Sequence, residues 1–191
     1  MNAWQLRLAE EALRRGELVL HATEGVWGLA CDPLDRGAVA ALLAAKGRAA
    51  AKGLILIGAE PLDFAPELDA LDAPSREAVL GSWPGPVTWV LANGRFPDWV
   101  TGGRSTVAVR VPGHPQARAL AGAFGAPIVS TSANRSGMPS ARSRLQAVRW
   151  LRNLRRGGSR IRVHLLPGET QGRRGPSEIR TPAGARLRSA G

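Results

Sequence analysis

The sequence has a single cysteine, Cys31, in 191 residues. No disulfide framework can form, and a reducing, cytoplasmic setting is expected. Cys31 itself reads as a small buried hydrophobe. Tyrosine is absent, phenylalanine occurs three times and all aromatics make up 5% of the chain, so few side chains can stack on RNA bases, and no RRM or KH signature is present. No apolar run approaches the ~20 residues that cross a bilayer. Residues 1–17, MNAWQLRLAEEALRRGE, lack the apolar stretch and small-residue cleavage site of a signal peptide, so no membrane role is expected. There is no GxxxxGK[ST], no GxGxxG after a strand and no GxSxG, which sets aside P-loop, dinucleotide-binding and hydrolase-elbow chemistry. His21, His114 and His164 lie far apart without metal-ligand spacing. Each reads as an ordinary surface or core histidine, and no protein-held metal is expected.

Lysine is also nearly missing. Of 26 basic residues only Lys46 and Lys52 are lysines, six positions apart in one segment. Where arginine is the default cation, two neighbouring lysines hint at a use for a compact ammonium. The net charge of +11 is unevenly placed. Residues 1–140 hold 13 basic and 13 acidic side chains, whereas residues 141–191 hold 13 arginines against Glu169 and Glu178. That skew points to an anionic partner such as a nucleotide phosphate or nucleic acid. A solvated arginine-rich face is the alternative.

Hydrophobic residues make up 44% of the chain, enough for one core in one domain spanning residues 1–191. Residues 3–15 carry a helical apolar period ending at Gly16, and residues 35–46 carry another ending at Gly47. LILI (54–57) reads as a strand buried on both faces. Further strands are predicted over 17–21, 87–91, 106–111, 127–129, 160–166 and 185–188. Helical stretches fall over 61–81, broken by Pro66 and Pro74, and over 116–124 and 143–154. ATEGVWGLACDP (22–33) reads as a loop, WPGP (83–86) as a rigid turn and GGSR (157–160) as a hairpin-sized break. Alternating strands and helices predict an α/β fold: a single domain with a twisted mixed sheet and flanking helices.

Three clusters carry chemistry. Lys46, Arg48 and Lys52 sit between a helix and a buried strand. Three cations beside glycines suit a polyphosphate, or else the negative end of the helix dipole. Ser130, Thr131, Ser132, Asn134, Ser136 and Ser140 follow a strand, and offer donors and acceptors to a ribose, phosphate or amino acid, although ordinary loops share that composition. Thr106 and Arg110 share one strand face, where a charge implies a bound anion or a partner carboxylate.

Taken together, HATEGVWGLACDP, AAKGRAAAKGLILI, WPGPVTWVL, VAVRVPGHP, IVSTSANRSGMPS and GRRGPSEIR, in this order and covering nearly the whole chain, resemble the YrdC/TsaC family of threonylcarbamoyl-AMP synthases in its short bacterial form. The resemblance implies a YrdC-like fold with a basic concave pocket shared by ATP and L-threonine. By motif, Arg48 and Lys52 would hold ATP phosphates with Lys46 beside them, these three forming the catalytic group. Thr106, Ser132, Asn134 and Ser140 would line the nucleotide part, and Arg188 would lie over ATP. Arg110 would pair with the threonine carboxylate, helped by Ser130 and Ser177, and Thr23 would shape the amino-acid end. Three positions depart from the family pattern: Ala49 where proline is usual, Gly25 where threonine or alanine is frequent, and Trp27 in place of tyrosine or phenylalanine. Trp27 is expected to supply an aromatic wall.

The implied reaction joins threonine, bicarbonate or CO2, and ATP into L-threonylcarbamoyladenylate, with Mg2+ carried on the ATP phosphates. The product would pass to the transferase complex that modifies adenosine 37 of ANN-decoding tRNAs. Two alternatives stand beside this. One is a non-catalytic double-stranded RNA or tRNA-binding module using the basic last quarter of the chain. The other is a relative that adenylates carbamoyl phosphate.

Overall fold

The computed structural model describes residues 2–157, 160–173 and 175–189. All its strands join one mixed sheet in the order β7-β1-β2-β6-β3-β5-β4-β8-β9. They are β1 (Leu18–Ala22), β2 (Trp27–Cys31), β3 (Ile55–Ile57), β4 (Val87–Ala92), β5 (Thr106–Arg110), β6 (Ile128–Ser132), β7 (Val163–Leu165), β8 (Glu178–Arg180) and β9 (Arg186–Arg188). The pairs β1–β7, β3–β5 and β4–β8 are parallel, and the other five are antiparallel.

Period-2 alternation sends each strand's side chains to opposite faces. On one face Leu20, Trp27, Leu29, Leu56, Val107, Val109 and Val129 join a large core. Helices α2 (Arg36–Lys46), α3 (Ala65–Asp69), α4 (Ala73–Gly81), α5 (Asp98–Thr101) and α7 (Arg144–Arg156) cover it. On the other face a smaller core of Val19, Ala30, Ile57 and Ile128 is covered by α1 (Ala3–Arg14) and α6 (Pro115–Phe124). These two helices cap only part of that face. The uncovered part, toward β5 and β8, is where the cleft lies.

Helix ends follow local chemistry. Asn2 and Gln5 form a capping box at α1, as do Ser143 and Gln146 at α7. Asp35 accepts from the Ala38 amide at α2, and Gly47 closes that helix at φ 56°. Pro66 and Pro74 sit at the second positions of α3 and α4, within the first turns, starting helices rather than breaking them.

Several expectations need correction. Residues 27–31, read as loop, form the interior strand β2, between β1 and β6. On the face opposite Trp27 it carries Gly28 and Ala30, small residues with weak strand propensity; Gly28 lines the cleft and Ala30 packs in the smaller core. Strand β6 runs on through Ser132, so STS is sheet rather than loop. EIR (178–180), absent from the predicted strands, is strand β8. Trp27 is not a cleft wall: its side chain is fully buried in the large core on the opposite face. Cys31 is buried as expected, and burial pushes its thiol far up. Gly158 and Ser159 of GGSR, and Arg174 of GRRGPSEIR, lie outside the described residues.

Candidate active site

The cleft forms where strand ends bring short polar and cationic side chains onto the uncovered sheet face. In the sheet, Gly28 opposes Ser132, Ala30 opposes Ser130, and Ile57 opposes Arg110, so these positions share one side. From β9, Arg188 arrives on that side opposite Ile179. The cleft is lined by Thr23, Gly25, Arg48, Arg110, Ser130, Ser132, Ser177 and Arg188, with Arg173 and Gly175 along its rim. A contiguous hollow holds Lys52, Arg104 and Thr106, and shares Arg48, Leu54, Ile55 and Arg188 with the cleft.

Three guanidinium groups converge here. Burial lowers the pKa of Arg188, and the neighbouring charges of Arg110 and Arg48 lower it further. Burial lowers Arg48 as well. Its Nη2 donates to the Gly53 carbonyl at 2.9 Å, while its buried Nε has no protein partner. Arg188 is aimed by the Ser177 carbonyl at 3.0 Å and the Ser177 hydroxyl at 3.1 Å. Ser177 in turn is 2.9 Å from the Thr88 hydroxyl. Like charges gathered in one cleft, with the Nε donors of Arg48 and Arg110 unpaired, suit an anion.

Arg110 answers the question its strand position raised. Its Nη2 lies 3.2 Å from Glu24 Oε2. The second Glu24 oxygen accepts from the Gly113 amide at 2.8 Å. Burial lowers the Arg110 pKa, which the Glu24 charge opposes. The Arg110 Nε stays unpaired among protein atoms. A carboxylate partner and an open donor thus coexist.

The remaining residues separate by location. The Lys46 ammonium turns away from the cleft, donating to the Ser132 carbonyl and to Asn134 through its carbonyl (3.1 Å) and Oδ1 (3.0 Å). Burial, then the Arg48 charge, lower its pKa to about 8. It fixes the end of β6 rather than facing a phosphate. Asn134 Oδ1 also accepts from the Ser132 hydroxyl at 2.7 Å, and Asn134 borders a separate hollow beneath α7. Ser140 lines neither the cleft nor its extension. The Thr23 hydroxyl donates to the Val26 carbonyl at 2.7 Å, tightening the turn between β1 and β2.

Sequence reasoning missed Glu24, Arg173 and His21. Glu24 lies inside the TEG segment, and its partner Arg110 is distant in sequence. His21 is fully buried behind Ser130, its Nε2 3.1 Å from the hydroxyl. Gly25 is explained by space: a Cβ there would meet the Gly175 carbonyl at 2.4 Å and that of Arg173 at 2.7 Å.

A family model described as "Telomere recombination", Sua5_yciO_yrdC, matches residues 11–181. The chain belongs to the Sua5/YciO/YrdC family. A relative from Halorhodospira halophila, named threonylcarbamoyl-AMP synthase, is 49% identical over 97% of this chain and 94% of its own. One of the same name from Nitrosococcus oceani is 44% identical over 97% of each. Among solved structures, P. abyssi Sua5 complexed with L-threonine is similar at a TM-score of 0.83 and 33% identity, over 95% of this chain. The match spans 52% of that Sua5 chain, about half its length. E. coli YciO, at 20% identity, shares the fold at a TM-score of 0.78.

Proposed function

We propose that this Sua5/YciO/YrdC-family chain is a threonylcarbamoyl-AMP synthase, a nucleotidyltransferase making L-threonylcarbamoyladenylate and pyrophosphate from L-threonine, bicarbonate or CO2, and ATP. The observation that carries the reading is the convergence of Arg48, Arg110 and Arg188 with the β6 serines in one cleft, in a chain whose near-full-length relatives bear that name.

In this reading Arg110 takes the threonine carboxylate through its open donor. Arg48 and Arg188, with Lys52 in the adjoining hollow, clamp the ATP phosphates. The threonine amine captures CO2 and releases a proton, giving an N-carboxylate. A carbamate oxygen then attacks the α-phosphorus as the bond to pyrophosphate breaks. Both reactants are anionic and repel each other in water. Fixed cations offset that repulsion and stabilise charge on the leaving group, while the cleft holds nucleophile and phosphorus in line. Thr106 and Ser132 border the nucleotide end. Lys46 and Asn134 act by holding Ser132.

No three His, Cys, Asp or Glu side chains gather as a metal site among the described residues, and the cleft carboxylate Glu24 is committed to Arg110 and Gly113. Mg2+ in this reading is held by ATP phosphates and water.

The exposed side of α7 supports contact with tRNA. Arg144, Arg149, Arg152, Arg155 and Arg156 lie there with no acidic residue in the helix. The product then passes beside the tRNA to a threonylcarbamoyl transferase in the cytoplasm. No described helix is long and apolar enough to cross a membrane.

Mass spectrometry of products from the purified protein with threonine, bicarbonate and ATP tests the reading. A threonine- and bicarbonate-dependent adenylate is expected. ATP turnover that ignores threonine, or proceeds with carbamoyl phosphate instead, would reject it.

A further inference from the structure

His21 sits on β1 and Ser130 on β6, with β2 between them. The contact is made across Gly28, which pairs with His21 in the sheet. A Cβ at residue 28 would lie 2.9 Å from His21 Nε2 and 3.1 Å from Ser130 Oγ. Glycine therefore opens the window through which the imidazole reaches the serine.

The direction of the hydrogen bond is fixed by the other ring nitrogen. His21 Nδ1 is 3.2 Å from the Ala22 carbonyl, which can only accept. The ring proton is accordingly on Nδ1. Burial lowers the His21 pKa to about 4, so the ring is neutral and Nε2 carries a lone pair. At 3.1 Å, Nε2 accepts the Ser130 hydroxyl proton. A serine hydroxyl has one proton and two lone pairs. With its proton turned into the sheet, Ser130 presents only lone pairs to the cleft that it lines together with the cationic Arg110.

We infer that His21 is a positioning residue that makes Ser130 a pure acceptor, so that the amino-acid substrate lies with its nitrogen N–H on Ser130 and its carboxylate on Arg110. Ser130 serves the amine end, not the carboxylate. An N–H remains on that nitrogen after carboxylation, so the same contact spans both stages of the reaction. The inference rests on the proposal that threonine occupies this cleft.

The test compares Ser130→Ala, His21→Asn, His21→Gln and the double variant His21→Asn/Ser130→Ala by calorimetric binding of L-threonine and, separately, of ATP. Asparagine can keep the bond to the Ala22 carbonyl but cannot reach Ser130. Glutamine places an acceptor where Nε2 was. Loss of one hydrogen bond to a charged group corresponds to about tenfold or more in affinity. Ser130→Ala and His21→Asn should each weaken threonine by about that factor, with ATP unaffected, and the double variant should be no worse than either single one. His21→Gln should restore most of the threonine affinity. Additive losses in the double variant, or wild-type threonine affinity in His21→Asn, would overturn the positioning role. If Ser130→Ala binds threonine as wild type does, the placement of threonine at Ser130 falls with it. 3-Hydroxybutyrate, which is threonine with hydrogen in place of the amine and so has no donor there, should be insensitive to Ser130→Ala. Equal sensitivity would return Ser130 to the carboxylate end.

Discussion

Arg110 Nη2 lies 3.2 Å from Glu24 Oε2, with both side chains almost wholly buried at the floor of the cleft. The pair is held on its far side by the Gly113 amide, which leaves the guanidinium one edge for a ligand. A buried ion pair adds little net stability over an apolar pair, but removing one partner strands the other. Arg110→Ala should therefore combine a stability loss with a binding loss. Arg110→Lys separates the two by keeping a cation beside Glu24 while losing the planar fork. The threonine KM should rise about tenfold or more, and the ATP KM should change far less. Equal rises in steady-state pyrophosphate release assays would remove the carboxylate assignment.

Arg48 has a buried, unpaired Nε and borders both the cleft and its extension. Arg48→Ala should lower kcat/KM by about 2–4 kcal/mol of transition-state stabilisation, the cost of one preorganised donor. Lys52 is exposed in the adjoining hollow, so solvent screens it, and Lys52→Ala should fall at the lower end of that range. Threonine-dependent pyrophosphate release unchanged in both would refute the phosphate clamp.

Much of this site was legible in the sequence, and the reason is physical. Arg110 and Thr106 declare themselves by strand alternation, and the Lys46–Lys52 segment by cations packed beside glycines. Period and capping gave α1, α2 and α7 to within two or three residues. What stayed hidden was long-range. Nothing local tells that Lys46 spends its three donors on residues 132 and 134, or that Glu24 meets Arg110 across 86 positions. Strand β2 was invisible because glycine and alanine occupy the positions a strand normally marks with branched side chains. The glycine, Gly28, is what lets His21 reach Ser130, so the weakest sequence signal lies where the structure is most specific. Trp27 misled for a related reason: its place in the family motif says aromatic, but only the register of β2 says which face.

His21 also has a signature in stability. Burial, reinforced by His114 and Arg110, lowers its pKa from 6.5 to about 4 against the opposing Ala22 bond. Between those values the unfolded chain binds a proton that the folded chain refuses. Stability from this group is therefore complete above pH 6.5 and is lost as pH falls toward 4. The shift is worth about 2–3 kcal/mol between pH 7 and pH 4.5. Urea unfolding at those two pH values should show that loss shrink by about the same amount in His21→Gln, which has no titrating ring. An unchanged acid loss in the variant would place the titration elsewhere.

Arg149, Arg152 and Arg156 fall on one exposed side of α7 at helical spacing. If that side meets tRNA phosphates, changing all three to glutamine should weaken tRNA binding without base preference. The slope of log K against log salt should become shallower by about 2–3, near 0.9 per lost contact to a duplex. Adenylate formation from free threonine should be untouched, because α7 covers the face of the sheet opposite the cleft. An unchanged slope would make this arginine row a solvated surface.

Ala49 stands where the family pattern has proline, and its backbone shows what that proline would do. Its φ is −65° and ψ is 134°, the values a pyrrolidine ring imposes or accepts. Its N–H lies just before the short turn Ala50–Lys52 and has no acceptor among the described hydrogen bonds, while its carbonyl accepts from the Lys52 amide at 3.2 Å. Proline therefore costs no backbone bond here. It restricts the unfolded chain, and the expected gain for Ala49→Pro is about 0.4–1 kcal/mol in urea unfolding. The same restriction acts on the segment that carries Arg48 and Lys52, so their spread of positions in the ligand-free enzyme narrows. ATP should bind somewhat more tightly, with the threonine KM unmoved, since Arg110 and Ser130 stand on the sheet and not on this loop. A destabilised variant would mean that residue 48 cannot adopt the extended backbone that a following proline requires.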